Sequence, residues 1–480
     1  MRYPHSAAAV SHAFTRRHFL AGGLVAVAGA ALAACSSTSA PSSSPTTSAA
    51  TSAPAAAPTT APTAAPAATT ASSSAAPAAA TATTAPAAQS APSGSGGAVT
   101  MTFWNDIGAT NAKPYTDLQS LFNKQTGIKI DQQVMQIGNL NSKLQMGAPI
   151  GQAPDMALLY TTAIPHFADL GTIQVLDPAA LDQSGIKESD YVPATWQGGM
   201  YKGKRYSVTQ DVVQSALYLN DSMFKDAGLT GSDGKPQAPT DQTSWLETAQ
   251  KLTKNGNYGG LWGGSSDNLN FEGLLWQNGT NVFSEDLSKS VLDQPAAIEV
   301  ATFWAKPYAQ LKASPPDGVD AEKAFVAGKL AMWVNGSWNV TGFNDSKIAY
   351  TVAPVPTLFK TPKVWSLGHE LTMPMQKNKD DAKVAAFWKF VKFMIDNGAT
   401  WTVQGGVLAA NNTVYKDPQI AKDPILKVFT DQSKNWGVGQ STPKWSDAEA
   451  LIGPVIDGIY LGKQPPADAM KSLAQQISAL

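Results

Sequence analysis

Tryptophan is the residue type whose number and placement first point to chemistry in this chain. The sequence has 13 tryptophans, and none precedes residue 104. An indole face covers C–H groups, while neighbouring amides and carboxylates hold hydroxyls in fixed directions, as a neutral sugar or polyol requires. Taken singly, each tryptophan also fits a hydrophobic core. Those at predicted strand ends or in loops are Trp104, Trp196, Trp262, Trp276, Trp338, Trp436 and Trp445.

Motifs for catalysis or for metal binding do not emerge from the sequence. Beyond the first 35 residues only His166 and His369 remain, without the paired spacing of a zinc or copper site. No phosphate-binding glycine loop and no Gly-x-Ser-x-Gly nucleophile elbow is present. Carboxylates are plentiful, but nothing singles out a glycosidase pair. We therefore predict no enzyme activity, no cofactor and no metal, although a Ser/His/Asp triad stays open.

Regular elements that could position a site are visible in the patterning. An alternating strand at 99–104, a helix opened by Pro114 and a strand at 128–130 form a βαβ unit, which predicts a parallel sheet. An extended segment follows at 207–219. A capping box at Ser244 predicts a helix start. The apolar stripe of 381–397 predicts the clearest helix. The fold class is therefore α/β.

Charge and length narrow the class of protein further. Residues 1–97 contain three arginines and no acidic residue, which leaves 32 basic and 36 acidic side chains in 98–480, a net of −4. This balance argues against a nucleic-acid partner, which favours a basic face. The 383 residues of this body exceed what one core usually supports, so we expect two lobes and a monomer.

The sequence of the N-terminal region predicts an export segment followed by a tether. Arg16 and Arg17 precede a short apolar run that ends at Cys35, the single cysteine. The stretch resembles a twin-arginine signal peptide with a lipobox, so we expect 1–35 to be that signal and Cys35 to carry lipid. Residues 36–97, almost all Ala, Ser, Thr and Pro, predict a disordered tether. We expect a protein anchored by lipid at the cell surface.

Five motifs in the same order resemble the extracellular solute-binding proteins of bacterial ABC importers, in the carbohydrate-binding family 1 group. The most specific reads AFVAGKLAMWVNGSW at 324–338. The others lie at 102–106, 153–156, 217–229 and 239–247. The resemblance implies that the protein captures a sugar or oligosaccharide and delivers it to the permease subunits. No covalent bond of the ligand would be made or broken.

The resemblance also implies a periplasmic-binding-protein-like fold, whose two discontinuous lobes are joined by hinge strands around a ligand cleft. We expect lobe one at 98–209 and 354–402, and lobe two at 213–352 and 405–480. The three crossings would then fall near 209–213, 350–356 and 401–405. Closure on ligand would be a hinge motion.

Site residues carry over from the resemblance position by position. Trp338 is the expected stacking platform, and Asp211 takes the acidic hinge position, with Thr209 in place of the family's proline. His369 departs from the family's glycine pair. The expected ligand-binding residues are Trp104, Asn105, Asp106, Tyr160, Thr161, Asp211, Trp276, Trp338, Gly368, His369 and Trp445.

Two alternative functions stay open at this stage. The same fold could bind a polyamine, an iron complex or a phosphodiester. Arg205 is the only arginine after residue 97, and this scarcity disfavours anions, because arginine gives bidentate recognition. A surface glycoside hydrolase is the third class. Product release from oligosaccharides would separate an enzyme from a carrier.

Overall fold

The structure is a computed structural model that describes residues 99–480 except 109, 110, 265, 266 and 317. The export segment, Cys35 and the 36–97 tether lie outside the described residues, so the expectations for them stay predictions. No helix in the described part is long and apolar enough to cross a membrane.

Twelve strands form in the described chain, and most belong to one large mixed sheet. They are β1 (Thr100–Asn105), β2 (Lys129–Val134), β3 (Met156–Tyr160), β4 (Met200–Tyr201), β5 (Lys204–Arg205), β6 (Ser207–Asn220), β7 (Leu261–Trp262), β8 (Met332–Gly336), β9 (Tyr350–Ala353), β10 (Val364–Thr372), β11 (Leu408–Ala409) and β12 (Trp436–Gly437).

Helices cover both halves of the chain. They are α1 (Ala112–Thr126), α2 (Ile137–Gly147), α3 (Ile164–Asp169), α4 (Pro178–Ser184), α5 (Pro193–Gly198), α6 (Asp221–Asp226), α7 (Gln242–Leu252), α8 (Asn268–Gln277), α9 (Pro295–Ala305), α10 (Ala321–Val326), α11 (Asn339–Ser346), α12 (Asp381–Asp396), α13 (Gly398–Gly405), α14 (Pro418–Ala421), α15 (Pro424–Gln432), α16 (Trp445–Tyr460) and α17 (Pro466–Ser478). Short 3₁₀ turns and a π-helical turn at Lys306–Gln310 complete the regular structure.

The sheet runs in the order β2-β1-β3-β10-β6-β8-β7. The predicted βαβ unit is confirmed, since β1 pairs in parallel with both β2 and β3. Strand β10 is antiparallel to β3 and to β6, and β6 is antiparallel to β8 and β9. The mixed pairing places the long strands β6 and β10 at the centre.

Strand β6 links the two halves of the sheet. Its 14 residues are all buried, and at about 3.3 Å per residue it spans roughly 46 Å. Its first part, Ser207 to Gln214, pairs with β10, and its last part, Ser215 to Asn220, pairs with β8 and β9. The predicted extended segment at 207–219 is confirmed, and the expected first crossing lies within it.

Contacts of the segment after β9 favour a later second crossing than 350–356. The Thr357 amide donates to Thr240, and the Lys360 amide donates to Gln277, both in the expected second lobe. The start of β10 also pairs with β12, whereas His369 to Thr372 pair with β3. We therefore propose that the chain crosses within β10. The third expected crossing, 401–405, is the end of helix α13 rather than a strand.

Helix α7 begins three residues earlier than its sequence pattern predicts. Asp241 is the N-cap, and its carboxylate accepts from the Ser244 amide at 2.9 Å. The Ser244 hydroxyl in turn accepts from the Asp241 amide at 3.1 Å, so the capping box joins Asp241 to Ser244. Ser244 is thus the third helical residue and not the cap, because the aspartate upstream is an equally strong capping residue.

The Asp155 carboxylate links three parts of the structure by hydrogen bonds: its own segment before β3, strand β1 and helix α12. Its carboxylate accepts from the Thr102 amide at 2.8 Å and from the Thr102 hydroxyl at 2.9 Å. Lys383 on α12 donates to both carboxylate oxygens, at 2.8 and 2.9 Å. Asp155 is only 8% exposed, so these bonds replace lost hydration.

Replacing Asp155 should therefore destabilise the body. We expect Asp155→Ala to lower the free energy of unfolding by about 1–3 kcal/mol, because the Thr102 amide, the Thr102 hydroxyl and Lys383 lose their acceptor. Asp117→Ala is the matched control, since its pair with Lys113 is exposed and should change stability by less than about 0.5 kcal/mol. Urea unfolding measures both, and equal effects would contradict the role of Asp155.

Candidate functional site

A cavity of about 410 Å³ lies between the two halves of the sheet, and we name it the central chamber. One wall comes from the loop after β1, the end of β3 and β10. The facing wall comes from α8, α11 and the residues around α13. Its lining residues are Asp106, Ile107, Gly108, Asn111, Gln136, Tyr160, Val213, Leu269, Trp338, Trp365, Leu367, His369, Trp401 and Val407.

Four of the expected site residues meet at this chamber. Asp106, Tyr160, Trp338 and His369 all line it. The Tyr160 hydroxyl donates to Asp106 Oδ2 at 2.6 Å. The Tyr160 and His369 rings lie 5.5 Å apart between centroids. Burial, followed by the Asp106 charge, raises the pKa of Tyr160, so the phenol stays protonated and holds the carboxylate in place.

Trp338 forms one side of an aromatic corner. Its indole lies 6.4 Å from that of Trp365 between ring centroids, at 85°. A Cβ at Gly336 would lie 2.0 Å from Trp338 Cζ3, so only glycine lets the indole fold back over the end of β8. The Asn-Gly-Ser-Trp motif therefore has a steric basis. The half-buried indole keeps part of its surface in the chamber.

Asp211 lies directly behind the chamber and carries the most hydrogen bonds there. Its Oδ1 lies 2.6 Å from His369 Nδ1, and its Oδ2 accepts from Trp401 Nε1 at 3.0 Å and from Gln210 Nε2 at 2.7 Å. Tyr115 extends the network by donating to Gln210 at 2.8 Å. Asp211 is fully buried, so its expected role in ligand binding would act through His369.

His369 is a histidinium in this setting. Burial disfavours its charged form, but the Asp211 carboxylate more than compensates, and the pKa of His369 is raised to about 9. Tyr160 is neutral, and the charge of His369 is balanced by Asp211. The Asp106 carboxylate is therefore the remaining net charge among the described residues that line the central chamber. Its Oδ1 is buried and has no hydrogen-bond partner among the described residues.

Thr161 and Gly368 belong to a second buried network on the other face of β10. The Thr161 hydroxyl donates to Glu370 Oε1 at 2.8 Å, and Ser207 and Thr209 also donate to this carboxylate. A Cβ at Gly368 would lie 2.6 Å from Thr161 Oγ1. Gly368 thus makes room for a threonine, and its expected role toward ligand stays a prediction.

Two further cavities lie nearby, one beside the central chamber and one beyond it. The side chamber, about 190 Å³, shares Tyr160, Leu269, Trp365 and Leu367 with it. The outer chamber, about 580 Å³, shares Thr162 and Gly439 with the side chamber. Trp276, Trp436, Thr161 and Lys363 line the outer chamber, so expected site residues Trp276 and Thr161 lie there.

Besides Asp211 and Gly368, three expected site residues line none of these chambers. Trp104 is buried under α2, with Lys143 Nζ 4.2 Å from its ring centroid. Asn105 is fully buried and accepts from the Ile107 amide at 3.0 Å, which turns the chain toward Asp106. Trp445 begins α16 and is 1% exposed. All three have structural contacts that position neighbours of the site.

Trp365 and Trp401 line the central chamber without having been expected there. The alternation of side chains along a strand could have predicted that Trp365 lines the chamber, because 365, 367 and 369 share one face of β10. Once His369 is assigned to the site, the same face includes Leu367 and Trp365. Trp401 lies on α13 and reaches the site by tertiary packing against Tyr115, at 5.3 Å between ring centroids. Among the described residues, no cluster of His, Cys, Asp or Glu could hold a metal.

The Asp211–His369 pair predicts a specific titration. Because the folded pKa of about 9 lies above the ordinary value of 6.5, the pair adds stability that is complete below about pH 6.5 and is lost as the pH rises through 9. We expect nuclear magnetic resonance to show His369 titrating near pH 9, and Asp211→Asn to lower its pKa below 6.5.

His166→Gln assigns the two histidine signals in a protein that comprises residues 98–480, since His166 is the other histidine there. A His369 signal that titrates near 6.5 in both the parent and the Asp211→Asn variant would contradict the buried pair.

Comparison with known proteins identifies the fold and the family. A maltotriose-binding protein of Pyrococcus abyssi is 23% identical over 66% of this chain and 69% of its own length. Listeria monocytogenes ABC substrate-binding protein Lmo0181, solved with cycloalternan, is 20% identical, with a TM-score of 0.70 over 79% of this chain and 98% of its own. UgpB of Mycobacterium tuberculosis, solved with glycerophosphocholine, also has a TM-score of 0.70, at 20% identity over 80% of this chain and 98% of its own.

The expected two-lobed, periplasmic-binding-protein-like fold is thereby confirmed. The bacterial extracellular solute-binding protein family matches residues 118–428, well over half of the chain. The chain therefore belongs to the family of bacterial extracellular solute-binding proteins.

Proposed function

We propose that this protein is the sugar-binding component of an ABC importer, which captures a sugar or oligosaccharide in the central chamber and delivers it to permease subunits. The observation that carries the proposal is the corner of Trp338 and Trp365 opposite the Asp106 carboxylate. Indole faces cover the C–H faces of a sugar ring, and a carboxylate accepts from its hydroxyls. The sugars named for the related proteins point the same way.

The charges on the cleft argue against the anionic alternatives. Arg205 is not available to an anion, because its guanidinium lies 3.9 Å from the Trp196 ring centroid and donates to the Trp196 and Ser207 carbonyls. His369 is neutralised by Asp211. A phosphodiester would have Lys363, at the outer chamber, as its nearest lysine among the described lining residues.

The arrangement favours binding over hydrolysis. Glycoside cleavage requires two carboxyl groups that flank the scissile bond. Among the described residues that line the central chamber, Asp106 is the carboxylate, and it already accepts from Tyr160. Asp211, the nearest second carboxylate in this network, is fully buried and occupied by three partners. We infer a carrier that releases its ligand intact.

Lipid anchoring completes the proposal. The twin-arginine stretch and the lipobox ending at Cys35 support export followed by acylation, and the family is extracellular. Two acyl chains on Cys35 would hold the protein on the membrane. The 62-residue tether would let the body reach the permease from that anchor, as a monomer.

Trp338 gives the sharpest test of the site. We expect Trp338→Ala to lower the affinity for the bound saccharide at least tenfold while the fold persists, because a stacking surface worth a few kcal/mol is removed. The ligand comes first from a thermal-shift screen of mono- and oligosaccharides, and calorimetry then measures the affinity.

Trp104→Phe is the matched control, since Trp104 lies outside all three chambers and should leave the affinity within twofold. Unchanged binding by Trp338→Ala would remove this residue from the site. Saccharide cleavage products during the incubation would identify an enzyme and overturn the proposal.

A further inference from the structure

The side chamber differs from the central chamber in its chemistry. It lies among the start of α2, the start of α8, β10 and α16. Its described lining residues include Glu449 and no lysine, arginine or histidine. Its 190 Å³ is several times the roughly 30 Å³ of one water in the liquid, so part of a ligand fits there.

A second carboxyl group, that of Glu272, lies near this chamber without lining it. Glu272 lies four residues after Asn268 and three after Leu269 on α8, and both of those residues line the side chamber. Positions three and four apart are neighbours on a helix, which places Glu272 one turn of α8 beyond the residues that line the chamber. Glu272 is 1% exposed, and its Oε1 is buried with no hydrogen-bond partner among the described residues. An orphaned buried carboxylate is costly unless a ligand group completes it.

A further buried acceptor at this chamber also has no partner among the described residues. Asn141 lines it, and its Oδ1 is also a buried acceptor without a partner among the described residues. Asp267, by contrast, is occupied as the cap of α8 by the Asn270 amide and side chain, at 3.0 and 2.9 Å. None of the ion pairs of the described chain includes Glu272 or Glu449.

The charge of Glu449 also acts on Glu272. Burial, followed by the charge of Glu449, raises the pKa of Glu272. Burial likewise raises the pKa of Glu449 to about 7, with the Trp445 indole opposing the rise. A cation between them would relieve both effects, and an ammonium offers three N–H donors and no acceptor.

We infer that the side chamber recognises an ammonium group on the bound saccharide, so that the preferred ligand is an amino sugar or an oligosaccharide with an amino-substituted unit. This inference rests on the proposed function and specifies its substrate class. Glu272, Glu449 and Asn141 supply the acceptors. The aromatic corner of the central chamber holds the adjoining sugar unit.

Calorimetry at pH 7 with ligands matched except at C2 tests the inference. The probes are glucosamine, glucose and N-acetylglucosamine, and their β-1,4-linked trimers, with maltotriose added. We expect the glucosamine compounds to bind at least tenfold more tightly than their hydroxyl and N-acetyl counterparts. Glu449→Gln and Glu272→Gln should each reduce that preference at least fivefold, because each removes one charge at nearly constant shape.

Asp447→Asn is the matched control, since Asp447 is exposed on the same helix as Glu449 and should leave the preference unchanged. Binding of neutral saccharides without a preference for glucosamine compounds overturns the inference and leaves the proposed function intact. A preference that survives in both glutamate variants also overturns it. Binding of spermidine in the absence of any saccharide binding overturns the proposed function itself.

Discussion

The pairing of β6 with β10 at Asp211 and His369 is the constraint on which the site depends. The register shifts between His369 and Glu370, so that His369 faces Asp211 while Glu370 faces Thr209. Gln210 is the extra residue of this bulge. A bulge re-aims the side chains on either side of it. Here it lets Asp211 face His369 while Thr209, two residues earlier on β6, faces Glu370 on the opposite side.

The two faces of β10 contact different parts of the structure. Trp365, Leu367 and His369 form the wall of the central chamber. Gly368 and Glu370 face the hydroxyls of Thr161, Ser207 and Thr209, which replace water around the buried carboxylate. This wall of the central chamber is therefore built on a strand whose other face is fixed by charge-assisted hydrogen bonds. Such support keeps binding groups in place before ligand arrives.

Much of the framework could be predicted from the sequence because its signals are local. Short stretches of sequence are enough to predict β6, from its apolar run, and α12, from its apolar stripe. The same is true of the βαβ unit. The start of α7 was misplaced because Asp241 and Ser244 both have capping side chains. The later second crossing that we propose rests on tertiary hydrogen bonds of Thr357 and Lys360, which no local sequence signal reveals.

The site was predictable only in part, for a physical reason. Asp106, Tyr160, Trp338 and His369 follow motif positions, and the structure brings them together. Trp104 and Asn105 immediately precede Asp106, yet a turn at Asn105 separates them from the chamber. Trp401 and Glu449 line their cavities through helix packing between distant segments.

A crystal structure of the body with its saccharide bound tests the central claim most directly. The account predicts electron density for a sugar ring in the central chamber, against Trp338 and with a hydroxyl within hydrogen-bond distance of Asp106. A saccharide bound elsewhere on the molecule, with the Trp338–Trp365 corner unoccupied, would contradict it.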